Sequence, residues 1–375
     1  MKKVVIAIDS FKGCLPSVEA GKAAAEGIRS VYPECEVICL PIADGGEGML
    51  DVLIMATNGQ EVPISAHDPL MRWRNTYYGI SENEETAFIE MASISGLPLV
   101  PPERRNPMLT TTYGTGEIIR YAFERGCRTF ITGTGGSATN DAGLGMLQAL
   151  GFRFSDKEGK EVGTGRGEVL IKVAHIDSTC VHPALNSCRF TVACDVQNPF
   201  YGPEGAAYVF APQKGADREM VEALDAGLQN FAEVIRHTTG KDISHHPGAG
   251  AAGGMGGSLL AFLNAELKPG IQLMLEALNF SNKIKSADLI ITGEGKADRQ
   301  TLMGKVPSGI LAEARKQNIP VILLAGNIED SDELQQAGFE GVFSVNPPFI
   351  SLEEAMRPEV ARKNIQQTVE SICKK

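Results

Sequence analysis

The sequence predicts an α/β protein in which a doubly wound parallel-sheet domain is interrupted by a second domain of mixed α/β build. Three observations carry that prediction. At 375 residues the chain exceeds one ordinary hydrophobic core, which favours two domains. Both ends alternate short apolar runs with amphipathic helical stretches, the pattern of βαβ units around a parallel sheet. The middle breaks that rhythm, with no helical pattern between about residues 60 and 106.

Residues 3–8, Lys-Val-Val-Ile-Ala-Ile, form an apolar run suited to a strand buried on both faces. A helix is predicted over 17–31, with Ala20, Ala24, Ile28 and Val31 on one face. Glu19 falls in its first turn, where the helix dipole favours a carboxylate. A strand over 36–40 and a helix over 49–56 follow. In the middle, 76–80, 85–91 and 130–134 read as strands, and 114–125 as a helix stopped by Gly126. A second helix over 141–150 has Asn140 as its expected cap and Gly151 as its stop. Residues 170–176 and 190–193 read as further strands. The closing stretch predicts strands at 287–292, 319–325 and 341–345, with helices at 307–317 and 358–373. Pro307 sits early in its helix, where a missing N–H costs nothing. These elements assign 1–65 plus 284–375 to the discontinuous doubly wound domain, of Rossmann or flavodoxin type, and 66–283 to the insertion.

Composition narrows the function. With 43% apolar and 22% charged residues the chain matches ordinary globular proteins, and glycine, at 41 residues, is in excess. Net charge is -11 and no basic run occurs, so neither nucleic acid nor an anionic membrane is an expected partner. Only five apolar residues separate Lys3 from Asp9, too few for a secretory core. The eight cysteines form no Cys-x-x-Cys pair and read as reduced, so a cytoplasmic setting is expected.

The surplus glycine gathers in four loops. They are 43–48 (Ala-Asp-Gly-Gly-Glu-Gly), 133–141, 247–258 and 293–301, and three of them follow predicted strands. Loops after parallel strands collect at the carboxyl edge of a sheet, where ligands bind. Glycine lets a backbone approach a phosphate closely, and the N–H groups opening a helix receive it. Carboxylates interleaved with such loops suit magnesium, which takes oxygen ligands and shares them with phosphates. Asp9, Ser10 and Lys12 end the first strand at the same edge, and Asp195 and Asn198 follow the strand at 190–193. Gly248-x-Gly250-x-x-Gly253 matches a dinucleotide fingerprint but lacks the strand that should precede it. That gap weighs against a nicotinamide-dependent hydroxy-acid oxidoreductase. No Gly-Lys-Ser/Thr loop and no Gly-x-Ser-x-Gly elbow occurs, and the missing secretory segment argues against an extracytoplasmic binding protein.

Eight motifs recur in register along the chain. They are Asp-Ser-Phe-Lys-Gly at 9–13, Ala-Asp-Gly-Gly-Glu-Gly at 43–48, Tyr-Gly-Thr-Gly-Glu at 113–117 and Gly-Gly-Ser-Ala-Thr-Asn-Asp at 135–141. Cys-Asp-Val-Gln-Asn-Pro at 194–199, Pro-Gln-Lys-Gly-Ala at 212–216, the loop at 247–254 and Thr-Gly-Glu-Gly-x-x-Asp-x-Gln-Thr at 292–301 complete them. Together they closely resemble the bacterial type-1 glycerate kinase family over nearly the whole length. The resemblance implies ATP- and Mg²⁺-dependent phosphorylation of D-glycerate, to 2-phosphoglycerate or alternatively to 3-phosphoglycerate. It also implies two α/β domains with the active site in the cleft between them. The residue roles expected here come from the loops themselves. Asp195 is the expected base, and Lys12 or Arg299 is the expected cation for the glycerate carboxylate. Ser10, Gly135, Gly136, Ser137, Gly250, Gly253, Gly254, Gly293 and Arg299 are expected to bind substrate or phosphate. Asp44, Glu47, Glu294 and Asp298 are the expected magnesium ligands.

Overall fold

The computed structural model describes residues 1–46 and 48–374. It divides into two units, Met1–Asp44 with Ile271–Lys375, and Gly45–Gly270. In chain order the strands are β1 (Lys3–Ile8), β2 (Glu36–Cys39), β3 (Gln60–His67), β4 (Trp73–Ile80), β5 (Thr86–Glu90) and β6 (Thr129–Gly133). They continue with β7 (Arg153–Ser155), β8 (His175–Asp177), β9 (Arg189–Ala193), β10 (Glu266–Lys268), β11 (Leu289–Ala297), β12 (Val321–Ile328) and β13 (Gly341–Ser344).

The first unit is a parallel sheet in the order β13-β12-β11-β1-β2. β1 lies inside it, with Val5 level with Ile38 on one side and Ile290 on the other. That interior place explains its unbroken apolar run, since helices cover both faces of such a sheet. Chain order reverses between β1 and β11, so a switch point lies there, at the edge where ligands bind in doubly wound folds. The helix Ser17–Val31 turns its alanine-rich face to the helix Pro358–Cys373. The approach is close enough that a β-carbon at Gly27 would fall 2.5 Å from the Gln366 carbonyl oxygen.

The second unit carries a mixed sheet, β10-β9-β6-β5-β4-β3, parallel from β10 to β5 and antiparallel beyond. The β3–β4 hairpin turns on Asp68, whose carboxylate accepts the N–H groups of Leu70 and Arg72 and the Arg72 guanidinium. Phe130 and Phe190 stack across adjacent strands at 4.6 Å in the core.

The α/β class and the parallel sheet stand as the sequence predicts. Several local expectations change, among them a short helix, Ala92–Ser95, in the stretch where none was expected. Residues Gly167–Lys172 wind into a 3₁₀ helix, and only His175–Asp177 is extended. The helix expected over 141–150 runs Leu144–Ala149. Its opening N–H groups are met by Asp141, which accepts from Gly143 and Gly145, while the Asn140 side chain is buried without a partner among the described residues. β3 and the long helix Arg218–Thr239 carry no counterpart in the sequence reading. Among the described residues no helix is long and apolar enough to cross a membrane.

Candidate active site

In the first unit the carboxyl ends of β1, β11, β12 and β13 open onto a cavity of about 540 Å³. Its polar end is built from Asp9, Lys12, Asp44, Glu294 and Lys305. Asp9 follows directly on β1 and is only 6% exposed. Burial, then the nearby Asp44 carboxylate, pushes its carboxyl up to about 7, although it accepts the Ser10 N–H at 2.7 Å. Burial also raises Glu294, against the Thr301 hydroxyl that donates to it at 2.6 Å and Lys305 at 3.8 Å. Lys12 pairs with Asp44 at 3.5 Å. Its partial burial works to lower the ammonium's pKa, but Asp44 and Asp9 outweigh it and hold the group above its ordinary value. Four carboxylates (Asp9, Asp44, Glu294 and Glu329) and three lysines (Lys12, Lys296 and Lys305) line the pocket, so ionisation of Asp9 leaves it net negative and favours a bound cation.

In the second unit the first two glycine loops meet. Gly45, Gly46, Gly133, Gly135 and Gly136, with Glu90, line a smaller cavity of about 250 Å³. Asp195, in the loop after β9, is exposed and oriented by the Gly270 N–H, which donates to Oδ1 at 2.8 Å. A β-carbon at Gly45 would lie 3.7 Å from the other Asp195 oxygen, which sets that carboxylate beside the loop. Beneath the 133–141 loop sits Lys214, 2% exposed, donating to Ser137 Oγ at 2.8 Å and the Thr139 carbonyl at 2.7 Å. Burial pulls its ammonium down to about 7, opposed by Asp141. Lys214 was not among the expected site residues, although the Pro-Gln-Lys-Gly-Ala motif contains it.

A sequence profile described as the glycerate kinase family matches residues 4–375. The chain belongs to the glycerate kinase family. Its similarity to an Escherichia coli K12 protein named glycerate 2-kinase is 46% identity, covering 95% of this chain and 93% of that one. A Haemophilus influenzae glycerate kinase is 44% identical, covering 99% and 98% of the two chains. The crystal structure of a candidate glycerate kinase 2 from Salmonella typhimurium LT2 superposes with a TM-score of 0.90 at 43% identity, covering 100% of this chain and 97% of that one.

Against this family background the expected residues sort by environment. Ser10, Lys12, Asp44 and Glu294 line the first unit's cavity, and Gly135 and Gly136 line the second unit's. Ser137 is buried, its hydroxyl taken by Lys214, so it shapes its loop instead of facing a ligand. Gly250, Gly253 and Gly254 stand in close packing. The Gly250 N–H is donated to the Asn198 carbonyl, and a β-carbon at Gly253 would fall 2.1 Å from the Thr139 oxygen. No strand leads into that loop, so the dinucleotide reading fails on context as well. Gly293 lies inside β11, where a β-carbon would strike the Leu324 carbonyl oxygen at 2.5 Å. Arg299 is exposed and forks onto Glu333 in a surface ion pair. Asp298 caps the 3₁₀ turn Arg299–Leu302, accepting the Gln300 N–H at 2.9 Å while Thr301 Oγ accepts the Asp298 N–H. Glu47 lies outside the described residues.

For a magnesium ion, Asp44 and Glu294 are the oxygen donors that share a cavity. Among the described residues no three carboxylate, imidazole or thiol groups converge. Mg²⁺ commonly takes one or two protein carboxylates and completes its octahedron with water and phosphate oxygens, so this pair fits.

Proposed function

We propose that the chain transfers the terminal phosphoryl group of ATP to the 2-hydroxyl of D-glycerate, giving 2-phosphoglycerate and ADP. The observation that carries this is the 46% identity, over nearly the whole chain, to a protein named glycerate 2-kinase. The site chemistry supports it. The glycerate oxygen forms its bond to the terminal phosphorus as the bridging oxygen of ADP departs, and the hydroxyl proton goes to a carboxylate. Asp195 is that carboxylate in this reading, exposed and held in one orientation by the Gly270 N–H. The backbone of Gly135 and Gly136 offers close approach to an anionic group, with no side chain in the way. Asp44 and Glu294 would hold Mg²⁺, which would supply charge neutralisation on the phosphate oxygens. Lys12 and Ser10 complete the polar end of that cavity.

Incubation with D-glycerate, ATP and Mg²⁺, followed by phosphorus NMR, tests the reading. A single 2-phosphoglycerate resonance is expected. A 3-phosphoglycerate resonance would keep the kinase and reassign the attacking hydroxyl. A folded sample with neither product would overturn the function.

A further inference from the structure

We infer that the first unit's cavity is the nucleotide site, with the purine of ATP against its apolar side chains and the phosphates at Lys12 and Lys305. The inference rests on the kinase reading for the identity of the ligand, and on the cavity's combination of apolar side chains with lysines and carboxylates for its placement.

The polar end carries what a magnesium-bound polyphosphate requires. Lys12 and Lys305 supply positive charge, and Asp44 and Glu294 suit the accompanying cation. Lys305 is also the N-cap residue of the ten-residue helix Val306–Arg315, whose first N–H groups receive no side-chain cap. A phosphate beside Lys305 therefore meets a helix N-terminus too. The four carboxylates of the cavity repel a free polyphosphate more strongly than one that carries its magnesium.

Apolar side chains line the same cavity beside Asn327, Glu329 and Asn346. Val345 follows β13, Ala355 lies on the short helix Leu352–Ala355, and Ala361 lies on the helix Pro358–Cys373. Leu352 and Met356 stand at the wall with 78% and 38% of their surface exposed. A hydroxy acid of three carbons has no apolar surface to cover these groups, and a purine ring has a flat one. The volume also separates the candidates. About 540 Å³ falls within the range of ligand pockets that enclose drug-sized molecules, roughly 300–1,000 Å³. The cavity spans the switch point between β1 and β11, the usual location of nucleotides in open parallel sheets.

Isothermal titration of the whole protein with MgATP and with magnesium tripolyphosphate tests the assignment in three variants. Met356→Asp places a charge where the base would lie, and Ala355→Phe fills that space. Each should weaken MgATP by about tenfold or more while leaving tripolyphosphate binding and the KM for glycerate within about twofold. Lys305→Ala should weaken MgATP and tripolyphosphate together. Met356 is at the surface, so its variant remains informative if the buried Ala355 variant does not fold. Unchanged MgATP affinity in a folded Met356→Asp protein would overturn the inference, and so would a rise in glycerate KM alone. Tight MgATP binding in a wild-type protein that never phosphorylates glycerate would sink the kinase reading and leave the nucleotide site in place.

Discussion

Asp9 shows how one residue's position sets its chemistry. It is an ordinary strand-end aspartate in sequence, yet burial and the neighbouring Asp44 raise it from 3.8 to about 7. Between those values the folded chain retains a proton that the unfolded chain has released. Its contribution to stability is therefore present at low pH and lost as pH rises toward neutrality, by on the order of 2–4 kcal/mol. Asp9→Asn keeps the acceptor for the Ser10 N–H and removes the titration. In EDTA, denaturant unfolding of this variant should show a flatter pH profile and a higher midpoint than wild type at pH about 8. A profile as steep as wild type's would show that another group sets the slope. Asp195 poses the opposite case, an exposed carboxylate whose proposed task is proton transfer. Asp195→Asn should lower kcat by about 10²–10⁴ with the thermal midpoint nearly unchanged, and near-normal turnover would remove it from the base role.

Among elements, the glycine loops look alike in sequence and behave differently in space. Gly135 has ordinary room, since a β-carbon there would meet nothing nearer than Gly46 Cα at 3.5 Å. Gly253 has a φ of +68° and a carbonyl oxygen 2.1 Å from where a β-carbon would go. Gly253→Ala should therefore destabilise the fold by about 2 kcal/mol or more, from backbone strain and overpacking together. Gly135→Ala should leave the melting temperature near wild type and raise the KM for glycerate. The pair distinguishes a packing loop from a binding loop in one thermal-shift and kinetic series. The motif Asp-x-Gln-Thr at 298–301 is a further case, since its spacing is that of a capping box and the structure uses it as one. Spacing alone also makes 170–176 look extended. The run Leu170-Ile171-Lys172-Val173 satisfies a strand pattern, but Asn230 on the helix Arg218–Thr239 takes the Leu170 and Val173 carbonyls. Those acceptors are thus met outside any sheet.

For the whole molecule, net charge and chemistry pull in opposite directions. A chain of net charge -11 that handles anionic substrates depends on local cations, and the first unit concentrates Lys12, Lys305 and the proposed metal at one sheet edge. Metal removal is the corresponding test. EDTA should abolish phosphorylation, and added Mg²⁺ should restore it and reduce the acid-to-neutral stability loss caused by Asp9. Full activity in EDTA would exclude Asp44 and Glu294 as ligands to a required cation. The two units also have separate buried cores, one around β1 and β11 and one around β5, β6 and β9.

The α/β class, most of the strands of the first sheet, the glycine loops and the family were all legible in the residues. Each depends on local periodicity or on short motifs in fixed order, which survive without knowledge of the fold. The grouping of functional side chains was not. Asp9 and Glu294 stand far apart along the chain, and only the pairing of β1 with β11 places them on one cavity. Likewise, nothing local distinguishes Gly253 from Gly135, or marks Lys214 as the buried amine under a loop more than seventy residues earlier. Burial is a property of what packs against a residue, and it is burial that raises Asp9, lowers Lys214 and packs most of the 247–258 loop away from solvent.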